Sequence, residues 1–367
     1  MEPLRHGDGT RELTARAQIW AWGLVCAAIL VLLYLAQAVL LPFVVGIAVA
    51  YFLDPLADRL EGWGLSRTLA TVVITVVFFA VLIAAIVLLF PLLQSQIVGL
   101  IQRLPAMAAA VTELLGPLKE RLQQTLSAAD VAKIQGAAQN YAGAALSWFA
   151  ELLKGVWRGG AAIFNTISLL VVTPLVAFYL LRDWDRMTAA VDGWLPREHA
   201  PEIRGLASDI DKMLAGFVRG QGTVCLCLAL VYGLGLHFVG LEFGLLVGLA
   251  TGMISFIPYF GMTIGLVTAL GIAFVQYNDW VSFAMVISVF AVGQVMESFF
   301  LTPKLVGERV GLHPVWVIFA LMAGGAAFGF TGVLLAVPVA ATIGVLVRFV
   351  VARYLGSELY RGADGER

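Results

Sequence analysis

The sequence predicts an all-α protein that crosses a membrane several times, and two observations lead to this prediction. Of the 367 residues, 60% are hydrophobic and only 13% are charged, whereas about a quarter of the residues in a soluble domain are charged. The charges are also bunched, which leaves uncharged stretches at 17–53, 68–102, 159–181, 220–241, 243–278, 280–296 and 310–347. Because a bilayer span needs about 20 apolar residues, this pattern excludes a soluble enzyme, a nucleic-acid-binding protein and a disordered chain.

The first uncharged stretches divide into spans according to their length. Stretch 17–53 would make about 55 Å of helix, nearly twice the thickness of the hydrocarbon core. We therefore expect two helices that meet near 40–42, with Pro42 in the first turn of the second helix and the end of that helix at 54–55. Stretch 68–102 predicts one span to about Pro91 and then an amphipathic continuation.

The positions of the basic residues predict which way the chain crosses. With both termini in the cytoplasm, 17 of the 23 Lys and Arg residues lie inside, as the positive-inside rule requires. The chain is thus predicted to be a multi-pass membrane protein in this orientation. Its regions are a cytoplasmic N-terminus (1–18), three transmembrane helices (19–90), an outer amphipathic helical segment (91–158), a fourth transmembrane helix (159–181), a cytoplasmic helical linker (182–218), a transport core (219–352) and a cytoplasmic tail (353–367).

The transport core reads as two copies of one unit, 219–278 and 280–352, each a helix followed by a broken hydrophobic hairpin. The loops on both sides of the first hairpin, at 240–242 and 276–279, contain no basic residue, which places them outside. The second hairpin lies between Arg309 and Arg348, which places its ends inside. The two copies are therefore expected to be inverted, giving about eight hydrophobic segments in all.

The breaks in the two hairpins mark candidate site residues. Irregular backbone at membrane depth has to be buried in protein or line a wet cavity, and paired broken segments in an inverted repeat point to the binding site of a transporter. The alternative is that Pro258 and the glycines only kink ordinary packed helices. The candidates from the breaks are Ser255, Pro258, Tyr259, Gly261, Gly324, Gly325, Gly329 and Gly332.

Glu297 is the most informative single residue, because a charge inside a span costs about 2.5–3.5 kcal/mol on insertion scales. It shares a helix face with Gln294 and suits proton coupling; the alternative is a structural carboxylate paired with Lys304 or a backbone donor. Gln221, Ser255 and Gln294 could hydrogen-bond a hydrophilic substrate or coordinate a cation, or could join helices to one another.

Nothing in the sequence indicates catalysis, a cofactor or a metal site. No G-x-x-x-x-G-K-[ST] or H-E-x-x-H motif is present, and the three cysteines lie in apolar runs without histidine nearby. Active transport would therefore be secondary rather than driven directly by ATP.

Four short motifs give the chain a resemblance to a known family. In order they are FIPYFG at 256–261, PKLVG at 303–307, LHP at 312–314 and GVLLAVP at 332–338. Over about residues 20–355 the chain resembles the autoinducer-2 exporter (AI-2E) family of PerM-like permeases. The family often has Asn where Ser255 and Ser298 stand here. The resemblance implies transport, with export of a quorum signal or Na⁺(Li⁺)/H⁺ antiport as the activities linked to members, and homo-oligomers.

Together with the resemblance, these observations predict a secondary transporter of a bacterial inner membrane that exports a small hydrophilic solute, or exchanges a monovalent cation, using the proton or sodium gradient. Its partners would be the lipid bilayer, the solute or cation and further copies of itself, with no nucleic acid. The site would lie between the two hairpin tips and the span that carries Gln294 and Glu297. The alternatives are a Na⁺(Li⁺)/H⁺ antiporter, a passive channel, and a non-transporting membrane scaffold that docks partners through 91–158.

Overall fold

The computed structural model describes residues 20, 23–25, 27–29, 31–123, 160–277, 279–306, 311–357 and 360, and this part of the chain contains helices and no strand. The helices that carry the argument are α1 (Gln37–Gly62), α2 (Arg67–Gln123), α3 (Gly160–Gly193), α4 (Ala200–Phe238), α5 (Gly244–Ile254), α6 (Phe260–Gln276), α7 (Trp280–Val295), a π-helix (Met296–Val306) and α8 (Pro314–Gly356).

The helices are long and apolar enough to confirm the predicted fold class. Five of those described could each cross a membrane by length and composition: Val39–Gly62, Arg67–Leu100, Ala200–Phe238, Trp280–Val306 and Pro314–Gly356. The chain is therefore an all-α, multi-pass membrane protein.

The first helices differ from the sequence prediction in where they break. Apolar helical residues occupy 23–35, the interruption lies at Ala36, and α1 then runs without a break through Pro42 and Pro55 to Gly62. The predicted boundaries at 40–42 and 54–55 are thus wrong. Proline is tolerated inside a membrane helix where neighbouring groups satisfy the freed backbone, so it is a weaker boundary signal here than in a soluble protein.

Two predicted regions turn out to be extensions of spans. Helix α2 continues through Pro91 to Gln123, so no separate amphipathic helix begins at 91. The predicted linker consists of the end of α3, a turn at 194–199 and the start of α4. The remainder of the predicted outer segment, the N-terminus 1–18 and residues 361–367 of the tail lie outside the described residues.

Charged residues at one end of the bundle join α1, α2 and α4. The Asp54 carboxylate accepts hydrogen bonds from Arg67 Nη2 and Arg219 Nη2, both at 3.0 Å. Arg219 Nε also donates to the Tyr51 carbonyl at 2.7 Å, and the Tyr51 hydroxyl donates to Asp211 at 2.9 Å. We call these five residues the Asp54 network; it fixes α4 against the first two helices.

Helix α4 is the axis of the C-terminal half, and close contacts hold α5 and α7 antiparallel to it. Three glycines of α5, spaced four residues apart, leave room for the α4 backbone, because small residues at this spacing let helices approach closely. Their contacts run in reverse order along α4: Gly244 with Leu236, Gly248 with Tyr232 and Gly233, and Gly252 with Ala229. On another side of α4, Gly293 packs under the Tyr232 ring and Gly220 lies against the Leu305 carbonyl.

Helices α5 and α6 form the first hairpin, residues 244–276. Gly265 packs on Thr251 and Gly261 on Ser255, so the arms are antiparallel. The base is closed by a hydrogen bond from Gln276 Nε2 to the Gly240 carbonyl (2.8 Å). The hairpin therefore begins and ends beside the C-terminal end of α4.

The second hairpin, residues 314–356, lies within α8. Gly329 has non-helical angles (φ 57°, ψ −137°), and the backbones of Gly324 and Gly332 are in contact. Residues eight apart in a continuous helix would be about 12 Å apart, so the chain folds back on itself at this point. The base lies at the N-terminal end of α4, where Arg353 pairs with Glu202 at 2.8 Å. The two bases thus lie at opposite ends of α4, while the repeat and its orientation in the membrane stay predictions.

Candidate functional site

The tip of the first hairpin interrupts the helix at Ser255–Tyr259. Pro258 cannot continue the backbone hydrogen bonding of α5, and Tyr259 then adopts a left-handed conformation with φ 71°, which is uncommon for a non-glycine residue. Tyr259 is 61% exposed. Strained backbone of this kind persists only where the surroundings enforce it, and it clusters at functional sites.

Two contacts enforce the conformation of this tip. Gln221 Nε2 on α4 donates a hydrogen bond of 2.8 Å to the Ser255 carbonyl, and the Ser255 hydroxyl donates to the Thr251 carbonyl at 2.8 Å. On the returning arm, a Cβ on Gly261 would lie 2.5 Å from Ser255 N and 2.6 Å from its Cα. Only glycine therefore allows the arm to come this close to the tip.

The π-helix Met296–Val306 forms the opposite wall, and the sequence pattern did not predict it. Its hydrogen bonds run from i to i+5, and segments of this kind are rare and frequent at functional sites. Residues five apart, such as Glu297 and Thr302, thereby come to share one side, and Val306 follows on the same side. Because Gly220 has no side chain, the Leu305 carbonyl can approach the backbone of α4 closely.

Between the tip and the π-helix lies a cavity of about 850 Å³. Ser255, Pro258 and Tyr259 form one wall, while the π-helix and the end of α7 form the other. The arms of the second hairpin contribute Val317 and Val337. Its polar lining consists of Gln221, Ser255, Tyr259, Thr263, Gln294, Glu297, Ser298 and Thr302. A space of this size, with few polar groups on a largely apolar wall, suits a small ligand.

The structure brings most, but not all, of the candidate residues together. Seven of them line this cavity: Gln221, Ser255, Pro258, Tyr259, Gly261, Gln294 and Glu297. The four glycines of the second hairpin do not: Gly324, Gly325, Gly329 and Gly332. Gly324 and Gly332 instead hold the two arms together, and the neighbouring Phe328 packs edge-on against Tyr34. The site was expected between both hairpin tips and the span that carries Gln294 and Glu297. The cavity includes that span and the first tip, but the second hairpin contributes its arms rather than its tip.

Three polar residues of the cavity were missing from the sequence-based candidates: Thr263, Ser298 and Thr302. Ser298 accepts a hydrogen bond from Gln294 Nε2 at 3.0 Å, which could have been read from their spacing of four residues. Thr302 could not, because an α-helical pattern does not place it beside Glu297. Thr263, one turn after Tyr259, donates to the Tyr259 carbonyl at 2.8 Å.

Glu297 stands out because its carboxylate has no partner among the residues that the structure describes. In the part of the chain that the structure describes, it makes no hydrogen bond and no ion pair, with Lys304 or any other residue. It is half-buried at the cavity wall, and the other described residues lining that wall are uncharged. A partly buried charge without a partner is costly, so the site favours a ligand that neutralises it, a proton or a cation.

No group of three or more His, Cys, Asp or Glu side chains in the described residues could hold a metal ion. Cys225 and Cys227 are half-buried and unpaired with each other.

The chain matches known proteins over nearly its whole length. The sequence model of a family described as "AI-2E family transporter" matches residues 24–352. The Bacillus subtilis protein named "Putative transport protein YrrI" is 29% identical over 344 residues, which cover 90% of this chain and 96% of that one. The Escherichia coli protein named "Putative permease PerM" is 27% identical over 320 residues, 86% of this chain and 88% of that one. The chain therefore belongs to the AI-2E transporter family, and it is a multi-pass membrane transporter.

Proposed function

We propose that this protein is a secondary transporter of a bacterial inner membrane that exports a small hydrophilic solute through the cavity between the first hairpin tip and the π-helix. The observation that carries the proposal is the cavity itself, where an unpartnered carboxylate and several hydroxyl and amide groups line about 850 Å³ of space. The volume and the neutral hydrogen-bonding groups suit a small polyhydroxylated molecule better than a large or strongly charged one.

Glu297 is the coupling residue in this proposal. A carboxylate that lacks a counter-ion is stabilised when it takes up a proton or a sodium ion. When Glu297 binds a proton or a sodium ion, the charge of the cavity wall that the solute contacts changes. Binding of the ion and binding of the solute therefore affect each other, which links the ion gradient to the solute gradient.

The conformational change would move the C-terminal repeats, 219–278 and 280–352, relative to the first four spans. The Asp54 network lies at the junction of these two parts, because it joins α4 to the first helices two residues before Gln221 enters the cavity wall. Both termini would face the cytoplasm. An impermeant maleimide added outside should label Val281→Cys, beside the base of the first hairpin, but not Ser357→Cys.

Solute transport is tested in proteoliposomes with a panel of small radiolabelled hydrophilic metabolites. The wild-type protein should accumulate at least one of them against its gradient when a proton or sodium gradient is imposed. Glu297→Gln should lose this accumulation and keep passive exchange of the same solute, because the cavity wall remains and only the ion site is removed. Glu202→Gln is the matched control, since that carboxylate pairs with Arg353 away from the cavity. If Glu297→Gln accumulates solute like wild type, the coupling role is overturned.

The Glu297 carboxylate, which has no hydrogen bond or ion pair among the described residues, also favours a second candidate function. This is a Na⁺(Li⁺)/H⁺ antiporter, in which the carboxylate binds a proton and a metal ion in turn. The same vesicles distinguish the two. An antiporter should move ²²Na⁺ against a pH gradient with no solute present, and Glu297→Gln should stop this movement. If wild-type vesicles do not take up ²²Na⁺ under these conditions, the antiporter is rejected.

A further inference from the structure

The polar groups of the cavity wall include several whose donors are already used within the protein. Gln221 Nε2 donates to the Ser255 carbonyl, and the hydroxyls of Ser255 and Thr263 each donate to a backbone carbonyl one turn earlier, all at 2.8 Å. A hydroxyl group has only one proton to donate, so one that donates in this way can offer a ligand only its lone pairs. These two hydroxyls therefore face a ligand as acceptors.

Two further side chains add acceptor oxygens that a ligand can reach. Gln221 Oε1 and the Glu297 carboxylate make no hydrogen bond among the described residues. Neither belongs to the buried side-chain atoms of the described chain that lack a partner, so both are open to the cavity that the two residues line. An amide oxygen and an ionised carboxylate accept hydrogen bonds and donate none.

The charge of the wall is as one-sided as its hydrogen bonding. No Lys, Arg or His side chain lines the cavity in the part of the chain that the structure describes. Arg219, two residues before Gln221, is held outside the cavity by the Asp54 carboxylate and the Tyr51 carbonyl. An anionic ligand would therefore meet Glu297 without any positive partner, and a neutral polyol would leave that half-buried charge uncompensated.

The remaining hydroxyl groups fit either kind of partner. Those of Tyr259, Ser298 and Thr302 line the same cavity, and a hydroxyl can donate or accept. The acceptor oxygens and the single negative charge therefore decide which ligand matches the wall. The matching ligand has one positive charge and several N–H or O–H donors.

We infer that the solute is a small amino alcohol, whose single ammonium group pairs with Glu297 and whose hydroxyl groups donate to the oxygens of Gln221 and Ser255. This inference rests on the proposed function, for which it names the class of substrate. Hydrogen bonds between charged groups are about twice as strong as neutral ones, so the ammonium group contributes most to recognition. Because the ammonium group and the coupling ion use the same carboxylate, they bind in turn, which exchanges one for the other.

The test compares the binding of three probes with the same three-carbon skeleton. They are serinol, which is glycerol with its central hydroxyl replaced by an amino group, glycerol itself, and the anion glycerate. Affinities are measured by saturation-transfer difference NMR on the purified protein in detergent, at neutral pH and in an amine-free buffer. Serinol should bind at least about tenfold more tightly than glycerol, which is the effect expected for a hydrogen bond to a charged group. Glycerate should bind the most weakly of the three.

Glu297→Gln should abolish this preference and bind serinol no more tightly than glycerol. Passive exchange of an amino alcohol then needs a higher solute concentration but is not lost. Glu202→Gln is the control, because that carboxylate pairs with Arg353 away from the cavity, and it should keep the wild-type preference. Both variants should elute like wild type in size-exclusion chromatography, and the comparison of the three probes on the wild-type protein depends on no variant.

Three results would overturn the inference: equal affinities of the wild-type protein for serinol and glycerol, tighter binding of glycerate than of serinol, or a preference for serinol that survives in Glu297→Gln. If one of these occurs while Glu297-dependent accumulation of another solute persists, the proposed function stands and only the amino-alcohol class is rejected. If the preference for serinol is found and depends on Glu297 but no solute accumulates in proteoliposomes, the binding site stands and the proposed transport is rejected.

Discussion

The two hairpins use their irregular backbone in different ways. In the first hairpin the break at Ser255–Tyr259 forms a cavity wall and is held from outside by Gln221 on α4. In the second hairpin the break at Gly329 lies away from the cavity, next to Phe328, which contacts Tyr34 with the ring centroids 6.1 Å apart. The arms rather than the tip of the second hairpin reach the cavity.

This difference shows what a helix break in a membrane segment does and does not indicate. A break identifies where the backbone needs polar partners or protein cover. It does not identify a ligand site, because a tip can obtain that cover from its own arms, as Gly324 and Gly332 provide in the second hairpin. The tip that lines the cavity is the one that depends on another helix for a side-chain hydrogen bond, as Ser255 depends on Gln221.

The largest expected effect is at the contact between the first hairpin and α4. Gly248→Ala would place a Cβ against the backbone of Tyr232 and Gly233, and neither helix can yield without moving the hairpin. Overpacking of this kind costs about 1–3 kcal/mol or more. The thermal unfolding midpoint in detergent should therefore fall by several degrees. Gly271→Ala in α6 is the control, because nothing lies within 4 Å of its Cβ position. An unchanged midpoint for Gly248→Ala would refute the close packing.

Alanine substitutions at one glycine in each hairpin test whether both hairpin tips contribute to transport. Gly261→Ala collides with the Ser255 backbone and displaces the cavity wall, so the solute transport rate should fall by about 100-fold, as misplacement by 1 Å does in enzymes. Gly325→Ala meets only Val333 Cγ2, at 3.1 Å, and its rate should stay within a factor of about two. Initial rates of solute exchange in proteoliposomes measure both. Equal losses would mean that both tips serve the site.

Much of this arrangement could be predicted from the sequence. Uncharged stretches identified the membrane class, because a charge in a span is costly. The Pro258 break was predicted correctly, because proline has no N–H for a helical hydrogen bond and disfavours a helical conformation of the residue before it. Gln221, Gln294 and Glu297 were identified as polar residues in apolar surroundings, and the structure places them in one cavity.

Other features depend on contacts that no local pattern contains. The π-helix changes the side on which Thr302 lies, and it packs through Leu305 on Gly220, 85 positions earlier in the sequence. Pro42 did not begin a helix, since prolines within membrane helices can be accommodated. The position of Gly329 relative to the cavity depends on how the arms pack, which its own neighbours in the sequence do not determine.

A third and smaller effect concerns the hydrogen bond that anchors the first tip. Gln221→Leu keeps the size of the side chain and leaves the buried Ser255 carbonyl without its donor, which should cost about 1–3 kcal/mol. Gln294→Leu is matched to it, because among the described residues it removes an amide that pairs only with Ser298, one turn further along in the adjoining π-helix, and it should cost about 0.2–0.5 kcal/mol. Unfolding midpoints in the same detergent give both values. If the two variants are equally stable, the first tip does not depend on α4.

The smallest effect is expected at the base of the second hairpin, where Arg353 Nη1 and both Glu202 oxygens lie 2.8 Å apart. Both side chains are more than 40% exposed, and water and salt weaken such pairs to about 0.2–1 kcal/mol. Arg353→Gln should therefore lower the unfolding midpoint slightly at low ionic strength and not at all in 1 M salt, where charges are screened beyond about 3 Å. Arg186→Gln is the control, because Arg186 approaches Asp183 only to 4.0 Å and is 88% exposed. A large loss for Arg353→Gln that persists in high salt would show that this pair, rather than the contact between Gly324 and Gly332, holds the second hairpin in place, and the two hairpins would then both depend on α4.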